Sequence, residues 1–277
     1  MRNSIHALGA VFLGLTLAAC APVEKKANKG KKSVDMSACK GLPSHAELKA
    51  ALTQGRQEAN GGFNLDMWGT IVNRDGVVCA VAFTGGGRGD QWPGSRAISA
   101  QKANTANAFS LPGLALSTAN LFTAVQPGGS LFGLQHSNPV STHVAYGGDA
   151  TQNGQENDPM VGGKVGGVNV FGGGVPLYDG SGTLLGAVGV SGDSSCADHN
   201  IAWKTRDFLD LDNTPGGVNP ISSDDNIVYD TTVDASTGHT ASASGWGHAA
   251  CSEDATTIGN GLPTSHPKGA TMGPVAP

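Results

Sequence analysis

Cysteines and histidines carry most of the chemistry this 277-residue sequence could do, five of the first and eight of the second. The cysteines are Cys20, Cys39, Cys79, Cys196 and Cys251, and none stands in Cys-x-x-Cys spacing, which removes a thioredoxin-like pair and a zinc ribbon. Ser99-x-x-Lys102 has the form of a serine nucleophile with its lysine. Ser-Asp-Asn and Lys-Thr-Gly are missing downstream, so a packing helix explains it better. No Gly-x-Ser-x-Gly elbow, dinucleotide turn, phosphate loop or His-Glu-x-x-His site occurs. No catalytic residue is therefore assigned, and no metal site is expected. Asp224-Asp225-Asn226 could contribute to a calcium loop, but it lacks further oxygen ligands at regular spacing and reads as a solvated turn.

One cysteine stands apart. Met1-Arg2 is followed by a small, apolar stretch from Ala7 to Ala19 that ends in Leu17-Ala18-Ala19-Cys20, the layout of an export signal and too short to span a bilayer. Leu-Ala-Ala-Cys resembles the bacterial lipobox, which implies that residues 1–19 are removed and that Cys20 is lipidated. Residue 21 is Ala rather than Asp, which by resemblance to lipoprotein sorting favours the outer membrane, facing the periplasm. Residues 20–36 are lysine-rich and nearly free of large aliphatic groups, so they read as a tether. Four cysteines remain for bridges in an oxidising compartment, with three pairings open. We favour Cys196 with Cys251, because a long tail without its own core needs a staple, and then Cys39 with Cys79.

Composition narrows the classes further. Charged residues are 14% with a net charge of −5, which leaves no basic footprint for nucleic acid beyond the tether. Glycine is in excess at 42 residues, which points to tight turns and close backbone approaches. Ser44 to Glu47 forms a capping box before Leu48, Ala51, Leu52, Gly55 and Ala59 at helical spacing. Strands are expected at Leu65 to Val72 and Val77 to Phe83, helices at Ser95 to Phe109 and Ser117 to Val125, and a polar surface insertion from Ser137 to Gly163. A second hairpin is expected from Val165 to Tyr178 and Thr183 to Val190, then a helix from Cys196 to Leu211. Everything after Asp212 reads as loop-like. The organisation is thus a domain at 37–211 followed by a loop-rich extension at 212–277.

Within that order lie Gly129-Ser130-Leu131-Phe132-Gly133-Leu134-Gln135, Phe171-Gly172-Gly173-Gly174-Val175-Pro176-Leu177 and Gly186-Ala187-Val188-Gly189-Val190-Ser191-Gly192, followed by Asp198. Together with the helix Ser99 to Ala106 they resemble the GlcG/HbpS family, which includes the C-terminal domain of PduO-type proteins. The tail strings Cys196 to Lys204, Asp225 to Asp230 and Ser244 to Cys251 resemble a proteobacterial branch of it. The resemblance implies an α/β (α+β) domain with an antiparallel sheet of about five strands flanked by helices, assembly into homo-oligomers, and, in several members, non-covalent heme. Covalent heme has no Cys-x-x-Cys-His to attach to.

A heme needs an apolar slot and an axial ligand, usually a neutral imidazole. His199 follows the glycine-rich strand and His248 lies three residues before Cys251, so a Cys196 to Cys251 bridge would bring both to one locus, with Trp203 and Trp246 to flank a porphyrin and Gly172, Gly173 and Gly174 to let it approach. His45 at the first helix cap and His136 are weaker candidates. Two other readings stand beside capture, buffering or sensing of heme or a related tetrapyrrole. One is a structural or oligomerisation module; the other, an enzyme or binder for a small organic acid or aldehyde, finds no nucleophile and base in the sequence.

Overall fold

The computed structural model describes residues 36–269, so the expected export signal, Cys20 and the tether up to Asp35 lie outside the described residues. A 3-10 turn at Met36–Cys39 leads to α1 (His45–Gln57). Ser44 caps α1 reciprocally: its Oγ accepts the Glu47 N–H at 3.3 Å while Glu47 Oε2 accepts the Ser44 N–H at 2.7 Å. Then come β1 (Trp68–Asn73), β2 (Val78–Phe83), α2 (Ser95–Phe109), the short helices α3 (Leu134–Ser137) and α4 (Thr142–Tyr146), β3 (Gly174–Tyr178), β4 (Leu184–Ser191) and α5 (Ser195–Phe208). The chain continues through a two-stranded ribbon, β5 (Thr231–Val233) and β6 (Thr240–Ser242), to α6 (Glu253–Ser265).

The main sheet runs β2-β1-β4-β3 with every pair antiparallel, so it holds four strands where about five are expected. Both its faces are covered, which is why β1 and β2 are buried throughout. On one face Leu48 and Leu52 of α1 and Ile201 and Ala202 of α5 pack on Ile71, Val175, Val188 and Val190. On the other, Ala97, Ala100, Ala103 and Ala106 give α2 a flat surface against Trp68, Val72, Val81 and Ala187. The alanine face lets α2 sit so close to β4 that a Cβ on Gly189 would collide with the Ser99 carbonyl.

Several expectations are corrected. Ser117 to Val125 forms two 3-10 turns, Thr118–Leu121 and Thr123–Val125, rather than one helix. Residues 137–163 are not a free surface insertion: Asp158 and Met160 are buried, and Arg96 grips Asp158 through both carboxylate oxygens. Only Gly174 onward of the first strand of the second hairpin is extended into the sheet. The tail carries β5, β6 and α6. Helix α6 hid because Gly259, Gly261 and Pro263 are poor helix formers. Pro263 has no N–H for the Gly259 carbonyl, and Asn226 Nδ2 donates to that carbonyl instead at 2.8 Å. The Asp224-Asp225-Asn226 turn is not solvated: all three are buried, and Asp225 binds Arg206 of α5 at 2.6 and 2.9 Å.

Three buried ion pairs, Arg96 with Asp158, Lys102 with Asp198 and Arg206 with Asp225, thus tie sequence-distant segments together. Removing one partner leaves the other charge buried without compensation. Asp225→Ala is expected to destabilise the protein by about 3 to 5 kcal/mol. Urea unfolding of the variant against wild type measures this.

Candidate functional site

Helix α5 begins at Ser194, whose Oγ accepts the Ala197 N–H at 3.4 Å. Its first turn holds Cys196, which is bonded to Cys251, while Cys39 is bonded to Cys79; the Cα atoms lie 6.0 and 5.6 Å apart. These are the two pairings favoured from the sequence. The first bridge lays Ala249 to Cys251 beside the first turn of α5 and brings His199 and His248 to the same glycine. Gly172 N–H donates to His248 Nε2 at 3.4 Å, and a Cβ on Gly172 would lie 2.9 Å from the Cβ of His199.

The locus is sealed. His248 is 2% exposed, donates through Nδ1 to the Ala249 carbonyl at 2.7 Å and rests 4.5 Å from the Phe122 ring. His199 is fully buried, with Nε2 at 3.1 Å from both Asn226 Oδ1 and the Ile227 N–H, and its Nδ1 has no partner among the described residues. Burial pushes both imidazoles down to about 4, so both are neutral.

The glycine run serves packing here. Gly173, at φ +122°, has the Lys102 Nζ and the Asp198 Cβ where a side chain would stand, and Gly174 abuts the Lys102 backbone. Lys102 Nζ crosses this gap to Asp198 Oδ2 at 2.6 Å and to the Val190 carbonyl at 3.2 Å. Burial pushes the Asp198 carboxyl up to about 6, against the pull of the Lys102 ammonium and the Asp193 N–H. The two tryptophans part company. Trp203 stacks under the Arg206 guanidinium and donates to the His266 carbonyl at 2.9 Å, whereas Trp246 packs on Leu116, Leu121, Val125, Val168 and Val170. No slot for a planar ligand lies between His199 and His248 with Trp203 and Trp246 as its walls.

His136 is exposed on α3. His45 differs from all of these. Half-buried at the start of α1, it donates through Nε2 to the Gly154 carbonyl at 2.9 Å, and Nδ1 makes no hydrogen bond among the described residues. That is how a ligating imidazole is held: one nitrogen anchored on a carbonyl, the other carrying a free lone pair. The anchor is itself rigid, since Gly154 N–H donates to Asp158 Oδ2 at 2.6 Å and Asp158 is held by Arg96. Trp68 and Phe83 stand against Gly154, and Lys49, one turn along α1 from His45, sits 5.4 Å from the Phe83 ring. The sequence marks His45 by its cap; nothing local in it marks Gly154 or Asp158 as the support. A groove of about 510 Å³ with mixed polar and apolar walls lies on the other side of α1, lined by Leu42, Glu47, Ala51, Gln54, Phe208 and Leu211 among others, with no imidazole or sulfur ligand for iron in its lining. Among the described residues, no three His, Cys, Asp or Glu are placed to hold a metal ion, and no helix is long and apolar enough to cross a membrane.

The family model described as haem degrading protein HbpS-like matches residues 44–206. Similar solved structures include a PduOC:heme complex, 23% identical, covering 59% of this chain and 89% of that one at a TM-score of 0.41. Klebsiella pneumoniae protein ORFY is 23% identical, covering 66% and 95% at 0.40. A double mutant of Streptomyces reticuli HbpS is 16% identical, covering 68% and 96% at 0.38. No curated protein matches the chain.

The two sealed histidines carry a pH consequence. Their folded values, about 4, lie below the ordinary 6.5, so the unfolded chain binds protons first on acidification. Their contribution is intact above pH 6.5 and is lost as pH falls toward 4, at up to about 1.4 kcal/mol per pH unit for each ring. Denaturant midpoints measured from pH 7.5 to 4 should fall through this window, and less steeply in His199→Gln.

Proposed function

This chain belongs to the HbpS-like family, and we propose that it is a lipid-anchored, periplasm-facing member that binds heme non-covalently for capture, buffering or sensing. The observation that carries the ligand assignment is the His45 side chain, whose Nε2 is fixed on the Gly154 carbonyl while Nδ1 stays available. Bound heme would supply an iron centre for a neutral imidazole to coordinate. The chain's own part is to hold that imidazole still. Gly154 sets the tautomer, and the Arg96 to Asp158 pair holds Gly154 in place. Lys49 offers a cation one turn along the same helix to the ligand's carboxylates. His199 and His248, with their rings packed inside, serve the fold. Because His45 stands at the surface rather than in a deep cavity, a second copy of the chain is proposed to cover the other side of the ligand.

The anchor part of the proposal rests on Leu17-Ala18-Ala19-Cys20 and on the lysine-rich spacer that follows. Each buried methylene of an acyl chain contributes about 0.8 kcal/mol, so several chains on one cysteine hold the protein stably. The periplasm and the outer membrane follow from the same segment. Two disulfides in the described residues suit an oxidising compartment.

Titration of hemin into the purified protein is expected to give a saturable Soret shift. His45→Ala should weaken it at least tenfold, while His199→Gln, where folded, should retain it. Absence of a saturable shift in the wild type would refute heme binding. Retention of wild-type affinity by His45→Ala would refute the ligand assignment alone. In cells, the wild type should fractionate with membranes and take up labelled palmitate, and Cys20→Ser should do neither.

A further inference from the structure

Of the three buried ion pairs, two use arginine, whose guanidinium stays protonated and attacks nothing. The third pairs Asp198 with lysine, and an amine that gives up its proton is a nucleophile. Both side chains are sealed, at 2% and 3% exposure, and Lys102 Nζ lies 2.6 Å from Asp198 Oδ2. With a carbon–oxygen bond of about 1.2 Å, the Asp198 carboxyl carbon is no more than about 3.8 Å from that nitrogen, close to the contact from which attack begins. Lys204 offers no parallel, because its partner Glu58 is 39% exposed. We propose that Lys102 and Asp198 close an intramolecular isopeptide bond, a covalent tie between α2 and α5.

The surroundings suit both the reaction and its product. Asp198 Oδ1 accepts the N–H groups of Gly192 and Asp193 at 3.1 and 2.9 Å, two fixed donors on the oxygen where negative charge gathers when the carbon is attacked. The Val190 carbonyl accepts from Lys102 Nζ at 3.2 Å and steadies the amine. Gly173 keeps the approach open: a Cβ there would lie 2.9 Å from Lys102 Nζ and 3.0 Å from the Asp198 Cβ. Burial, which already pushes the Asp198 carboxyl up to about 6, favours a neutral acid and amine over two charges out of water.

The step needs no outside reagent. A proton passes from the Lys102 ammonium across the 2.6 Å hydrogen bond to Oδ2, leaving a neutral amine and a carboxylic acid. The nitrogen lone pair attacks the carboxyl carbon, the C–N bond forms, and an electron pair moves onto Oδ1. As that pair returns, the bond from the carbon to Oδ2 breaks, and Oδ2 takes a second proton from the nitrogen and departs as water. Ammonium and carboxylate thus become one amide and one water, with no change in oxidation state. The product finds its hydrogen bonds in place: the amide N–H faces the Val190 carbonyl, and the amide oxygen keeps the Gly192 and Asp193 N–H groups. Two buried charges give way to one satisfied neutral group, which removes the desolvation cost that the ion pair carries.

The full chain, held folded at neutral pH for several days, is then denatured, its disulfides are reduced, and it is digested with trypsin. Trypsin does not cut at an acylated lysine, so residues 97–164 should emerge as one peptide joined to residues 165–204, lighter than the sum of the two by one water. Fragmentation should place the link at Lys102 and Asp198. The reduced wild type should also run faster on a denaturing gel than Lys102→Arg, which keeps the cation and cannot form the amide. The peptide masses are read on the wild type alone, so they need no variant to fold. Recovery of residues 103–164 and 165–204 as separate peptides, with no joined species, would overturn the proposal. A link at any other carboxyl group would overturn it as well.

Discussion

Lys102 and Asp198 meet in the interior across a gap that only glycine leaves open, and the two main layers of helix are held to the sheet through that contact. Lys102 comes from α2 on one side of the sheet, Asp198 from the first turn of α5 on the other, and the chain that threads between them is Gly172-Gly173-Gly174. Asp198 also accepts the N–H groups of Gly192 and Asp193, which close the turn out of β4. A charged pair taken out of water is tolerated only when its remaining donors and acceptors are met. Here the Val190 carbonyl and two backbone amides meet them, so the turn, the glycine run and both helices must adopt one arrangement together.

The second consequence is that α5 has almost no free face. From Cys196 to Arg206 every residue is buried, because α1 and the sheet cover one side and the extension covers the other. The extension does this with few apolar groups. Its cover is polar and specific: Asp225 on Arg206, Asn226 on the ring of His199 and on the Gly259 carbonyl, the His266 carbonyl on Trp203, and one disulfide. Such a cover depends on each partner being met and is costly to leave half made.

This bears on which histidines can serve a ligand. The sequence clusters His199 and His248 through the cysteines next to them, and the structure does bring them together, yet the same polar cover seals them in. His45 looks ordinary in the sequence, one residue inside a capping box. Its carbonyl anchor comes from a loop 109 residues away, held by an ion pair that no spacing announces. The glycine run was legible as a close approach of backbone, while the partner that approaches, helix rather than ligand, was not.

Signals that act over a few residues were settled by the sequence. The Ser44 to Glu47 cap, the Asn73 turn whose Oδ1 accepts the N–H groups of Asp75 and Val77, the alanine face of α2 and the first hairpin arise from near neighbours, and they stand where their residues put them. Helix α6 is the counterexample: its propensity is poor, and it exists because Ala255, Gly259 and Leu262 pack and Asn226 caps a carbonyl that Pro263 abandons. Cysteine number narrowed the bridges to three pairings, and folding chose one by bringing the Cα atoms within reach. The sequence by itself determined which groups this protein has for chemistry. The tertiary structure decided which of their atoms are free, because a ring nitrogen is spent or spared by whatever the rest of the chain brings within 3 Å of it.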